Sequence, residues 1–138
     1  MLVNKILLPV DGSAHARQAA EYAAELAGLN KAAVVLMHAY GDIPMILGHR
    51  EDVIEEMKAE SHKLLAIYAE ALKKAGISFT ESVHKGSPAE AILNVVREEK
   101  CDLIILGAKG HSELEDLVLG SVSHKVLHTA DCPVLIVR

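Results

Sequence analysis

The sequence predicts a parallel, three-layer α/β fold occupying one domain, residues 1–138. Short, continuously apolar runs alternate with longer helix-patterned stretches along the whole chain, as they do when strands are covered by helices on both faces. Hydrophobic residues make up 51% of the chain but aromatics only 3%, with no Trp and one Phe. The core is therefore aliphatic and alanine-rich, which suits helices laid on a sheet. No linker, repeat or low-complexity segment breaks the 138 residues, a length that buries a core without metal or disulfide staples.

Each element has its own signal. Val3 to Pro9 reads as a strand, ended by the turn residues Asp11-Gly12-Ser13. Ser13 or Asp11 caps a helix from Ala14 to about Ala27, with alanines at 16, 19, 20, 23, 24 and 27 on a close-packed face and Gly28 as its stop. Ala32 to Ala39 is a second strand, too continuously apolar to be half-exposed. Tyr40 to His49 is loop, with Gly41, Pro44 and Gly48. From about Arg50 to Ala75, Val53, Met57, Leu64, Leu65, Tyr68 and Leu72 recur at helical steps until Gly76. Ile77 to His84 is a third strand whose looser alternation fits a sheet edge. Ser87-Pro88 opens a helix to about Lys100, serine as cap and proline at its first position. Leu103 to Leu106, Ser121 to Thr129 and Val134 to Val137 supply the fourth strand, fourth helix and fifth strand. Crossovers between the parallel strands are expected to be right-handed.

Fourteen basic against nineteen acidic residues leave a net charge of −5, which argues against a nucleic-acid or anionic-membrane surface. No run approaches the roughly 18 apolar residues of a membrane helix, and Lys5 and Pro9 interrupt the N-terminus too soon for a signal peptide. Cys101 and Cys132 form no CxxC pair and read as reduced core residues, so a cytoplasmic location is expected.

Chemistry concentrates in Gly107-Ala108-Lys109-Gly110, directly after a buried strand, and in Gly120-Ser121-Val122-Ser123, nine residues later. Glycines in a polar turn let backbone approach a ligand, and a helix start offers amides and hydroxyls to an anion. The two pieces read as a split phosphate cradle. Their spacing resembles the G-x2-G-x9-G-(S/T) nucleotide-binding motif of the universal stress protein family. Pro9-Val10-Asp11-Gly12-Ser13 is similar to that family's P-x-D-G-S turn, and Cys132-Pro133-Val134 to its closing strand.

The resemblance covers the whole chain. It implies strand order 3-2-1-4-5, a Rossmann-like (adenine nucleotide alpha hydrolase-like) sheet whose ligand crevice lies at the carboxyl ends of the first and fourth strands. Asp11 and Gly107 stand at those two ends. By the same resemblance, Asp11 accepts hydrogen bonds from a ribose, Pro9, Val10 and Ala39 border the adenine, and Gly107, Lys109 and Gly110 approach the phosphates. Gly120, Ser121, Val122 and Ser123 then cap them. ATP, AMP or ADP is the implied ligand, with Mg²⁺ or Mn²⁺, and the implied protein is a stress-response sensor with an unnamed protein partner. A symmetric homodimer is expected through the apolar, terminal edge Val134–Val137. His111 stands where the family often has Arg or Lys, and a histidine is mostly uncharged near neutral pH. With Glu113, Glu115 and Asp116 nearby, the cradle is less cationic than the motif usually provides.

Two further readings stay open: a dimeric interaction module of the same fold without nucleotide, and a slow ATPase. The sequence contains no G-x-S-x-G elbow, no G-x-x-x-x-G-K-(S/T) loop and no evident catalytic nucleophile. His124 and His128 have metal-ligand spacing but no third ligand, and read as a solvated or partly packed pair.

Overall fold

The computed structural model describes residues 2–41, 51–110 and 118–138. Five strands, β1 (Lys5–Pro9), β2 (Ala33–Tyr40), β3 (Phe79–Lys85), β4 (Leu103–Gly107) and β5 (Val134–Val137), form one parallel sheet in the order β3-β2-β1-β4-β5. Four helices alternate with them: α1 (Ala14–Asn30), α2 (Glu51–Lys74), α3 (Pro88–Glu98) and α4 (Ser121–Thr129). The strand order expected from the motifs is the one observed. Between β1 and β4 the chain reverses its direction of winding, leaving a crevice at their carboxyl ends.

The pleat divides the core in two. Ile6 and Leu8, Val34 and Leu36, and Leu103 and Ile105 face α1 and α2, where Ala16, Ala19, Ala23, Ala27, Leu65 and Leu72 meet them. Leu7, Val35, Met37, Ile104 and Leu106 face α3 and α4 and pack on Ile92, Val95, Val96 and Val126. Burial on both faces is why these strands are runs of β-branched and leucine residues without polar alternation. The edge strand β3 is largely half-exposed or exposed, as its mixed sequence requires.

Several local features differ from expectation. Helix α1 does not stop at Gly28; it continues to Asn30 and ends on Lys31 in the left-handed conformation, φ 56°. Gly28 instead sits beside Ile77 Cδ1, where a Cβ would lie at 3.8 Å. β1 begins at Lys5 rather than Val3, because side chains hold the amides leading into it. Val3 N–H donates to Asn30 Oδ1, and the amides of Asn4 and Lys5 to the Asp102 carboxylate at 2.9 and 3.1 Å. Ser87 is the N-cap of α3 in backbone conformation, yet its side chain makes no capping bond. Both cysteines are free thiols, and burial pushes Cys101 up to about 11. The rings of His124 and His128 meet in a tilted pair, centroids 4.5 Å apart, on exposed α4 surface. No group of three metal-ligating side chains, and no helix long and apolar enough to cross a membrane, occurs among the described residues.

Candidate functional site

The carboxyl end of β1 runs Pro9, Val10, Asp11, with Val10 N–H donating to Met37 O at 2.9 Å. This bond extends the β1–β2 pairing and fixes where Asp11 emerges. Asp11 Oδ1 accepts from Ser13 N–H at 2.9 Å, an Asx turn that reverses the chain into α1. Ser13, buried, then caps that helix by accepting from Ala16 N–H at 3.2 Å. Of the two capping candidates in the sequence, Ser13 is the cap and Asp11 orders the turn before it. The second carboxylate oxygen, Oδ2, lies against Gly110 in the loop after β4.

The loop after β4 is held there by backbone and side chains of other elements. Ala108 N–H donates to Val137 O at 2.7 Å, and Gly120 N–H to Ala108 O at 2.7 Å. Ser123, 2% exposed, donates its hydroxyl to Ala108 O at 2.6 Å. Ala108 thus ties the first glycine pair to the start of α4. On the other side, Ser13 Oγ reaches Lys109 O at 3.4 Å, and Lys109 N–H donates to His15 Nδ1 at 3.2 Å. The first motif piece, more than ninety residues from Asp11 in sequence, is fastened to the start of α1, and Ala108 links the second piece to it.

The glycines of this loop do different work. A Cβ on Gly110 would stand 2.6 Å from Asp11 Oδ2, so the missing side chain lets the loop reach the carboxylate. A Cβ on Gly107 would meet His15 C at 2.8 Å, Ala16 N at 2.9 Å and His15 Cβ at 2.9 Å. The space freed at Gly107 is filled by α1. Close helix-to-strand contact accounts for this glycine, where the sequence suggested phosphate approach.

Together these segments enclose a cavity of about 430 Å³, within the usual range for small-molecule sites. Pro9, Val10, Asp11 and Ala39 line one side, and Gly107, Lys109 and Gly110 another. The opening turn of α4, Gly120, Ser121, Val122 and Ser123, closes the end with its helix dipole directed at the cavity. His111 and the acids at 113, 115 and 116 lie outside the described residues, as do 42–49 of the expected Tyr40–His49 loop.

The walls include residues the sequence reading missed. Met37 and Leu106 are apolar positions at the ends of β2 and β4, next to motif residues; Pro88 and Ile92 project from α3. Their i, i+4 spacing on a helix that starts at the same sheet edge is the signal that could have found them. His38 also borders the cavity, and its Nδ1 lies 2.8 Å from Ser61 Oγ, itself 1% exposed. Burial pulls the His38 imidazole below its usual range, with the Asp11 carboxylate partly opposing that shift. Asp11 therefore carries the field of the pocket, while Lys109 is its cation among the described residues. An apolar slot with an acceptor on one lip and a helix start on the other suits a ligand with a flat apolar part, hydroxyls and an anionic tail.

Comparison with known proteins agrees with this architecture. The model of the universal stress protein family matches residues 3–138. A universal stress protein from the QAH/OAS sulfhydrylase 3′ region of Thermus aquaticus is 41% identical over 139 residues, spanning 99% of this chain and 100% of that protein. Among solved structures, protein MJ0577 of Methanocaldococcus jannaschii overlays with a TM-score of 0.91 at 26% identity, covering 99% of this chain and 96% of that one. Two others match in fold, at 24% and 23% identity. One is a universal stress protein in complex with cAMP, with a TM-score of 0.78 over 100% of this chain and 98% of that one. The other is from Archaeoglobus fulgidus in complex with dAMP, with a TM-score of 0.74 over 100% of both chains.

Proposed function

The chain belongs to the universal stress protein family, and from that footing we propose that it binds an adenine nucleotide, ATP or its AMP or ADP forms, between Asp11 and the segment Gly107–Ser123. One observation carries the reading: Asp11 and Gly110 meet at the lip of a single cavity, so close that no side chain fits between them. In this proposal Asp11 accepts from the ribose hydroxyls, and Pro9, Val10 and Ala39 flank the adenine. Lys109, the Gly110 amide and the opening turn of α4, Ser121 to Ser123, receive the phosphates, while Gly107 and Gly120 set the path of the backbone around them. His111 belongs to the same proposed subsite. The cAMP- and dAMP-bound neighbours support an adenine nucleotide as the class of ligand.

A divalent ion fits this site only in company with the nucleotide. The described residues offer no cluster of three ligating side chains, and Asp11 already spends one oxygen on Ser13 N–H. Mg²⁺ or Mn²⁺ would be held chiefly by phosphate oxygens, where it would offset their charge.

The single domain, residues 1–138, is proposed to act as a cytoplasmic homodimer in stress response, its output to an unidentified protein partner set by nucleotide occupancy. β5 supports the dimer: among the described residues it pairs with β4 alone, and Val134, Leu135 and Ile136 are half-exposed at that edge of the sheet. A nucleotide acts on such a system through contacts that differ between its states. Calorimetric titration with Mg-ATP tests the reading. Saturable heat that weakens about tenfold or more in Asp11→Ala is expected; no heat at millimolar nucleotide refutes it.

A further inference from the structure

His15 lies in neither motif and does not line the cavity. It occupies the first turn of α1, half-buried, with its ring behind the loop that follows β4. Its Nδ1 accepts from Lys109 N–H at 3.2 Å. A backbone amide is always a donor, so this contact fixes the tautomer: the ring proton sits on Nε2, and Nδ1 must be bare. Protonating the ring puts a second donor against the amide and breaks the bond. The other side-chain tie from α1's N-cap to Lys109, Ser13 Oγ to its carbonyl, is long at 3.4 Å. Backbone packing at Gly107 presses the same two elements together but does not orient Lys109.

From this we infer that His15 is a positioning residue for the glycine loop, holding Lys109 and Gly110 in their anion-accepting arrangement only while its imidazole is neutral. The inference rests on the proposed nucleotide reading and adds a proton to it. Acid releases the loop, and affinity falls with it. A charge gained on His15 stands behind the loop rather than in the cavity, so the lost hydrogen bond outweighs the added attraction for phosphate.

Among the described residues, the charged and titratable side chains at this end of the elements around the first turn of α1 are Asp11, His38, Lys109, Arg138 and, on α1 itself, Arg17. His15→Asn keeps all of these, together with His111. Its side-chain amide can also place an oxygen near the Nδ1 position, an acceptor that does not titrate. The difference between the two proteins therefore isolates His15.

The test measures Mg-ATP affinity of wild type, His15→Asn and His15→Ala between about pH 8 and about pH 5. A second measurement follows protection of the Lys109 amide from hydrogen exchange in ligand-free protein. Expected is an acid loss of affinity about three- to tenfold larger in wild type than in His15→Asn. His15→Ala should be weak throughout, and Lys109 protection should fall in acid only in wild type. Matching profiles for wild type and His15→Asn, or wild-type affinity that rises in acid relative to it, overturn the inference. If no variant binds nucleotide, the functional proposal fails, while Lys109 exchange still decides the role of His15.

Discussion

Replacing Gly107 and Gly110 separately by alanine should separate scaffold from site. Neither glycine has a positive φ, so alanine meets only steric resistance. At Gly107 the new methyl would stand 2.8–2.9 Å from His15 C, Ala16 N and His15 Cβ, well inside the roughly 3.5–4.0 Å of a comfortable carbon contact. Two of those atoms are backbone. Gly107 is itself fixed against Val137 in the ladder, and α1 is fixed by its Ser13 cap. Relief requires α1 to move off β4. Overpacking of this kind costs about 1–3 kcal/mol, which for a domain of this size lowers Tm by about 4–12 °C. At Gly110 the close neighbour among the described residues is Asp11 Oδ2, at 2.6 Å, the far end of a side chain that can rotate. That variant should lose less than about 1 kcal/mol in stability but displace the carboxylate, and so weaken nucleotide binding. Thermal melts and calorimetric titrations of both proteins check this. A Gly107→Ala protein that melts like wild type, or a Gly110→Ala protein that is equally destabilised, would refute the reasoning.

Other consequences concern single groups. Asp102→Ala removes the acceptor for the Asn4 and Lys5 amides and should cost about 1–3 kcal/mol in denaturant unfolding. Because burial lowers the folded-state pKa of His38, its contribution to stability is complete above about pH 6.5, its ordinary value. That contribution is lost as pH falls through the folded value, since the unfolded chain takes the proton first. His38→Gln should therefore flatten the acid decline of stability below about pH 6.5, measured as unfolding midpoint against pH. With its thiol pushed up to about 11, Cys101 should resist thiol reagents at about pH 8. Timed labelling with mass detection should find the half-buried Cys132 modified first.

The frame of this fold is legible because its signals are local. Uninterrupted runs such as Val34 to Met37 and Ile104 to Leu106 mark strands buried on both faces, and the helices between them declare themselves by spacing. Strand order came from matching separated motifs to a known pattern, since periodicity carries no information about which strands are neighbours. What the sequence concealed was long-range pairing. Asp102 holds amides 97 and 98 residues away, and His15 meets Lys109 across 94. Glycine was the most ambiguous letter. Gly28, which reads as a helix stop, lies inside α1 against Ile77, and Gly107 makes room for a helix. Gly110, expected to approach the phosphates, has its close neighbour in the Asp11 carboxylate. The pocket residues that escaped notice, Met37, His38 and Ile92, look like ordinary core or edge positions until the sheet order places them at one rim.

The central claim is that one slot, bounded by Asp11 and the two glycine segments, receives the nucleotide. Backbone amide NMR of the isotope-labelled protein, titrated with Mg-ATP, tests it most directly. Shifts should concentrate at Val10 to Gly12, Ala39, Gly107 to Gly110 and Gly120 to Ser123, leaving Asn4, Lys31 and Asp102 at the amino ends of the strands unmoved. Perturbation centred on those amino ends, or none at saturating nucleotide, would contradict it.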